Sequence, residues 1–170
     1  MAITTRPLDS ANPDELTAVL TLNNAAVPAV NALTTPELRV LIETSHLARA
    51  VVDSDSPAEI LGVIIAFAPG AAYESENYAW FSARGGDFLY VDRIIVAETA
   101  RGRGLGPVLY AAVFDAARAA DLGAVTCEVN TDPPNPGSLA FHTRLGFERV
   151  GDLTTKGGTV SVALLEARVR

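Results

Sequence analysis

Short apolar runs alternate along this chain with stretches of helical period. The segment AITTRPLD alternates weakly and ends in a turn, which predicts an opening strand. NPDELTAVLTLNNAAVPAV then offers Asn12 as a helix N-cap and Pro13 at the first helical position. Leu16, Val19, Leu20 and Asn23 fall on one face of that helix, and Asn23-Asn24 interrupts the apolar pattern. That pair reads either as a fraying helix end or as a polar patch facing a ligand. TPELRVLIETS predicts a second short helix capped by Thr35. The β-branched runs LARAVVDS and EILGVIIAFAPG, joined by DSDSPA, predict a hairpin. Residues 71–87, AAYESENYAWFSARGGD, show no clear period and are expected to form an aromatic-rich loop with a functional role.

The second half is more regular. FLYVDRIIV predicts a strand, and a helix is expected from about Pro107 to Leu122, with Leu109, Val113, Ala116 and Ala120 on one face and Gly123 as its stop. AVTCEVN predicts another strand. GSLAFHTRLG predicts a helix with Asn135 as N-cap, Pro136 at its first position and Gly146 past its end. FERVGDLTT and VSVALLEARV close the pattern as strands joined by a turn at KGG. The expected order is β-α-α-β-β-β-α-β-α-β-β, mostly hairpins, with one strand-helix-strand unit that should be a right-handed parallel crossover.

Composition narrows this only slightly. At 170 residues, residues 1–170 are expected to form a single domain with a substantial core. A formal net charge of −7 argues against a nucleic-acid binder of the basic-patch type and is compatible with small cationic substrates. A single cysteine, Cys127, allows no intrachain disulfide, so a reducing cytoplasm is the expected setting. The first fifteen residues hold no apolar signal core, and the run Ile60 to Ala68 is about half of the roughly 20 residues a membrane span needs.

The hexapeptide RGRGLG at 101–106 changes the picture most. Three glycines within five residues cost backbone entropy and need a reason, and the two arginines point to an anion. A Walker loop requires Gly-Lys-Ser/Thr, and the chain has no Gly-Lys pair. A dinucleotide fingerprint starting at Gly102 would need glycine at 107, where Pro107 stands. A strand-loop-helix wrapping a diphosphate fits better. Its helix N-terminus offers N–H groups and a favourable dipole, the missing side chains permit close approach, and Pro107 has no first-turn bond to lose. By itself, the hexapeptide also fits a glycine-rich surface turn with solvated arginines.

From about Phe88 to Gly151 the chain resembles the GNAT superfamily of acyl-CoA-dependent N-acyltransferases. The pattern Val96-x-x-x-x-Arg101-Gly102-x-Gly104-x-Gly106 is followed, after a strand ending near Asn130, by Asn135-x-x-Ser138-x-x-Phe141-His142-x-x-x-Gly146-Phe147. The resemblance implies an α/β fold of α+β type. Its central sheet would be mixed and mostly antiparallel, of six or seven strands with a splayed parallel pair, flanked by about four helices. It also implies acetyl-CoA as co-substrate, an amine acceptor that is a small molecule or a peptide, and no metal; it leaves room for a homodimer. Carried over residue by residue, Gly102, Arg103, Gly104, Leu105, Gly106 and Pro107 would surround the coenzyme diphosphate, with Arg101 beside it. Ile94, Ile95 and Val96 would pair with the pantetheine arm like an added strand. The Val96 N–H would then face the thioester carbonyl and stabilise its oxyanion. Asn135 would bond the pantetheine, cap the last helix, or do both.

Aminolysis of a thioester needs a neutral amine and a proton for the departing thiolate. Most members of the family carry a tyrosine acid where this chain has His142. Histidine can also donate, so His142 is either that acid or a packing residue, with the acid elsewhere or water. For the base, strand parity places Tyr90, Asp92, Ile94 and Val96 on one face, and Glu128 with Asn130 opposite Val125, Cys127 and Val129. Some relatives carry a carboxylate base on the first of these strands. Asp92 and Glu128 are therefore the base candidates, or else surface charges paired with groups such as Arg93. Glu43 is a weaker third, and Cys127 reads as a buried hydrophobe. The expected function is acetyl transfer from acetyl-CoA to a primary amine. A longer acyl donor is one alternative and a non-catalytic acyl-CoA sensor is another.

Overall fold

A computed structural model describes residues 2–170. Strand β1 (Ile3–Pro7) leads into α1 (Pro13–Ala25). The Asn12 side chain accepts from the N–H groups of Asp14 and Glu15, and Pro13 opens the helix, so the start lies where the sequence placed it. Helix α2 (Thr35–Thr44) is capped by Thr34, one residue before the expected Thr35. Thr34 and Glu37 form a reciprocal capping box, which satisfies two orphan donors instead of one. The hairpin of β2 (Leu47–Asp53) and β3 (Ser56–Phe67) follows as expected.

The aromatic-rich segment expected to be a loop contains a helix, α3 (Glu76–Arg84). Ser75 caps its start and Gly85, at φ +80°, ends it. Only Tyr78 and Phe81 are fully buried on it, too few positions to stand out as a helical period. Trp80 also packs inward, so closely over β6 (Glu148–Thr155) that a Cβ on Gly151 would lie 2.6 Å from its ring.

The remaining elements are β4 (Phe88–Val96), α4 (Leu105–Ala119), β5 (Ala124–Asp132), α5 (Pro136–Arg144) and β7 (Val160–Arg168). Helix α4 begins two residues earlier than expected and ends three earlier. Its buried face is Leu105, Leu109, Tyr110, Val113 and Ala117, whereas Ala120 is exposed. Asp121, not Gly123, takes the positive φ after the helix, and Gly123 N–H instead bonds the Asp87 carbonyl to open β5.

The seven strands form one sheet in the order β1-β2-β3-β4-β5-β7-β6. Every pairing is antiparallel except β4 with β5, so the mixed sheet expected from the sequence is present, with five helices rather than about four. Helices α1, α2 and α3 cover one face through Leu16, Val19, Leu38, Leu41, Tyr78 and Phe81. Helices α4 and α5 cover the other through Leu105, Leu109, Val113, Leu139 and Phe141. Burial on both faces explains why β3 reads as an uninterrupted apolar run from Ile60 to Phe67.

Two irregularities position the site. Parallel pairing of β4 and β5 is confined to Phe88–Tyr90 against Ala124–Thr126, and past that point the strands part. On the other edge of β4, Ile65 pairs with Arg93 but Ala66 with Val91, so Asp92 is an inserted bulge residue. The bulge breaks the parity expected for β4. Tyr90 and Ile95 lie on the α1–α3 face, while Ile94 and Val96 pack toward α4. Asp92 therefore does not share a face with Ile94 and Val96.

Candidate active site

A cavity of about 860 Å³ opens where β4 and β5 part. Asp92 of β4 and Glu128 and Asn130 of β5 line it, with Tyr73, Asn77 and Tyr78 around α3 and Pro28–Asn31 from the α1–α2 connection. On β5 the expected parity holds: Glu128 and Asn130 line the cavity while Val125, Cys127 and Val129 pack under α4. The structure thus brings both leading carboxylate candidates to one place. Glu43 is elsewhere, exposed on α2 and accepting from the Ser10 hydroxyl at 3.2 Å.

The two carboxylates stand in different surroundings. Asp92 Oδ2 is 2.7 Å from Arg93 Nε, both side chains being nearly buried, and Asp92 Oδ1 accepts from the Tyr73 hydroxyl. The Arg93 guanidinium also donates to Asn23 Oδ1 at 2.7 Å and to Asn31 Oδ1 at 2.9 Å. Asn23 is 1% exposed, so it neither frays nor meets a ligand; it ties α1 to the bulge. Among the described residues Glu128 forms no ion pair. Burial pushes its carboxyl up to about 8, against the opposing pull of the Tyr90 hydroxyl, which donates to Oε2 at 2.7 Å. The neighbouring Asp92 charge raises it further.

The glycine loop owes its composition to two separate constraints. Gly102 and Gly104 have φ of +78° and +72°, and no neighbour lies within 4 Å of where a Cβ would sit. Gly104 is the N-cap of α4 and supplies no side-chain cap, which leaves first-turn N–H groups available to an anion. Gly106 is different: a Cβ there would lie 2.7 Å from the Phe141 ring, so this glycine permits α5 to pack against α4. Leu105 turns its side chain into the core, 2% exposed, whereas Arg101, Arg103 and Pro107 are exposed.

Edge geometry bears on Ile94, Ile95 and Val96. Ala97 N–H donates to the Leu61 carbonyl of β3 at 2.8 Å. By strand alternation the N–H groups of Val96 and Ile94 point to the opposite edge, the one facing the gap toward β5. Asn135 caps α5, its Oδ1 accepting from Ser138 N–H at 3.3 Å.

His142 lies on the other face of the sheet and is 3% exposed. Its Nδ1 is 2.7 Å from the Ser138 carbonyl, which only accepts, so the ring proton belongs there. Nε2 then accepts from the Tyr110 hydroxyl at 2.7 Å. Burial lowers its pKa, favouring the neutral ring. The ring also meets Tyr110, Phe141 and Phe147 edge-on. Cys127 is buried beside Tyr110, and burial pushes its thiol up, in keeping with a packing role. Tyr90, Asn31 and Arg93 escaped the sequence reading as site residues, while Tyr73 and Asn77 fall in the aromatic-rich segment expected to be functional. Ser75 and Gly85, flanking ENYAWFSAR as caps, were the signal for α3; nothing local marks Arg93 as buried.

The Acetyltransferase (GNAT) family model matches residues 19–147. Phosphinothricin N-acetyltransferase of Streptomyces coelicolor is 43% identical over 58 residues, 34% of this chain and 33% of that protein. Acetyltransferase Atu2258 of Agrobacterium fabrum is 34% identical over 87 residues, 51% of this chain and 59% of that one. The matched segments thus span less than two thirds of either relative. Arabidopsis thaliana NAA60, solved in complex with acetyl-CoA, superposes with a TM-score of 0.76 at 21% identity, covering 99% of both chains. With its splayed parallel pair, glycine loop and family match across most of its length, the chain belongs to the GNAT acetyltransferase family.

Proposed function

We propose that this protein transfers an acetyl group from acetyl-CoA to a primary amine, in a cytoplasmic setting where Cys127 stays a thiol. One observation supports the reading above all: β4 and β5 part beyond Tyr90 and Thr126, and the cavity at that parting holds Asp92 and Glu128, while the free N–H edge of β4 runs on to Val96. The residues present fit the coenzyme. Gly102 and Gly104 hold a left-handed turn with open space around it, and the uncapped start of α4 faces outward, an arrangement suited to a diphosphate, with Arg101 and Arg103 exposed nearby. Leu105, Gly106 and Pro107 contribute backbone and shape. The free edge at Ile94–Val96 suits the amides of a pantetheine arm, and Asn135 stands at the start of α5 to meet it.

Bound acetyl-CoA supplies the activated thioester carbon that the amine attacks. A nitrogen that enters as an ammonium gives up two protons as the C–N bond forms and the C–S bond breaks. One ends on the sulfur; Glu128 takes the other and passes it to solvent. A carboxyl raised to about 8 is a fitting acceptor, because its proton affinity approaches that of an amine, and an arriving ammonium favours its ionised form. Val96 N–H is aimed to stabilise the charge that develops on the thioester oxygen. Asp92 holds Tyr73 in the cavity wall and Arg93 behind it.

His142 is assigned a positioning role, joining α5 to α4 through Tyr110. Acting as the acid would require it to break that bond and to gain a second proton against the effect of burial. Water then relays to the sulfur the proton that leaves the nitrogen. Incubation with acetyl-CoA and a panel of amines, followed by mass spectrometry of the products, tests the reading. Acetylated amine together with free CoA is expected, with acetyl-CoA favoured over octanoyl-CoA. Tight acyl-CoA binding without turnover of any amine would favour a sensor.

A further inference from the structure

Resting on the acetyl-transfer reading, we infer that the acceptor is a cationic amine carrying no carboxylate or other anion near its reacting nitrogen. The cavity wall contains four carboxylates, Glu74, Glu76, Asp92 and Glu128, and a single cationic residue, the exposed Lys156 at the rim. Arg93 is buried outside the lining, and each of its three nitrogens already donates, to Asp92, Asn23 and Asn31. No arginine is among the described residues that line the cavity, so an acceptor carboxylate would find no planar fork to hold it. It would instead face the like charge of the rim carboxylates Glu74 and Glu76 and of Asp92.

A second observation points the same way. Asn77 Oδ1 is buried and has no hydrogen-bond partner, although Asn77 lines the cavity. The amide orientation is set by Glu128, toward which the Asn77 NH₂ group donates; the reverse orientation would oppose two acceptors. An unpaired acceptor and a carboxylate with no cation together form a receptor for N–H donors. An ammonium supplies three, and its charge offsets the Glu128 carboxylate as it ionises. The Tyr73 ring, stacked on Phe67 by one face and with its hydroxyl tied to Asp92, flanks the same space and presents aromatic surface to a cation or an alkyl stem.

Matched pairs that differ only by a carboxylate test this: tyramine against tyrosine, and 1,4-diaminobutane against ornithine. Binding to the CoA-saturated protein is measured by calorimetry, and initial rates are measured with acetyl-CoA. The decarboxylated member of each pair is expected to bind and to react at least about tenfold better in kcat/KM. Asn77→Leu, and independently the rim variant Glu74→Lys, should narrow that ratio. Equal or better binding of the amino acids overturns the inference while leaving acetyl transfer standing. Selective binding of the amines without turnover supports the acceptor class and sinks the transfer reading. Binding of neither class overturns the inference.

Discussion

The Tyr90 hydroxyl donates to Glu128 at 2.7 Å across the parallel strand pair, just past its last register partners, Tyr90 and Thr126. The contact joins the two strands at the point where they part, and with the Asn77 amide it favours the Glu128 carboxylate. Burial outweighs it, and the carboxyl stays protonated up to about pH 8.

Activity should therefore rise with pH and level off above about 8. Glu128→Gln should lower kcat/KM by about 10²–10⁴-fold and lose that limb of the profile. The same amine in both proteins cancels the amine's own titration. Stability moves oppositely. The folded carboxyl titrates above its unfolded value of 4.5, so the unfolded chain loses this proton first. The contribution of Glu128 is complete below about 4.5, declines as pH rises toward about 8, and is constant beyond. Melting curves should show Glu128→Gln gaining on the parent between those limits; parallel curves would count against the raised carboxyl.

Gly104 and Gly106 should fail in different ways. Gly104 holds φ +72° in open space, so Gly104→Val strains the turn by about 1–2 kcal/mol and disturbs the proposed diphosphate cradle. CoA affinity should fall far more than melting temperature. Gly106→Ala drives a methyl into Phe141 and should cost about 1–3 kcal/mol of stability. Calorimetric titration with CoA and thermal melts distinguish the two; unchanged CoA affinity in folded Gly104→Val would sink the cradle.

His142→Phe retains the ring stacking but removes the nitrogen acceptor of the buried Tyr110 hydroxyl, leaving it the weaker Cys127 sulfur. A stability loss of about 1–3 kcal/mol is expected, with kcat changed only a few-fold. A drop of about 10²-fold or more in kcat, in a protein that melts normally, would return His142 to the role of acid.

Arg93→Met should loosen the acceptor wall. It strands Asp92, whose side chain is 6% exposed, and should destabilise the fold by about 3–5 kcal/mol. Adding Asp92→Asn removes the stranded charge and should recover much of that loss. The Pro28–Asn31 wall would still lack the bond to Asn31 Oδ1 and keep the Asn23 bond to the Asn31 carbonyl at 3.0 Å, so KM for the amine should stay raised while CoA affinity is unchanged. Recovery of a normal amine KM in the double variant would refute a positioning role for Arg93.

Local signals in the chain were enough for the elements whose ends carry their own chemistry. Asn12-Pro13, Asn135-Pro136 and the glycines of the loop declare helix starts through capping oxygens, a preset φ and left-handed turns, all short-range properties. Period-2 alternation placed Glu128 and Asn130 together on β5 for the same reason. Tertiary structure decided what depends on distant partners. Helix α3 forms because Tyr78, Phe81 and Trp80 find the sheet beneath them, a burial that no nine-residue window displays. The bulge at Asp92 follows from a register set by β3, and it overturns the face that alternation alone assigns. Arg93 lies buried because Asn23 and Asn31, some 70 and 62 residues away in the chain, converge on it. Gly106 is small for the sake of Phe141, 35 residues further on, and burial between α4 and α5 favours the neutral His142 ring. Residue types name the groups that can do chemistry; which of them face the same cavity, and with what proton affinity, is set by packing.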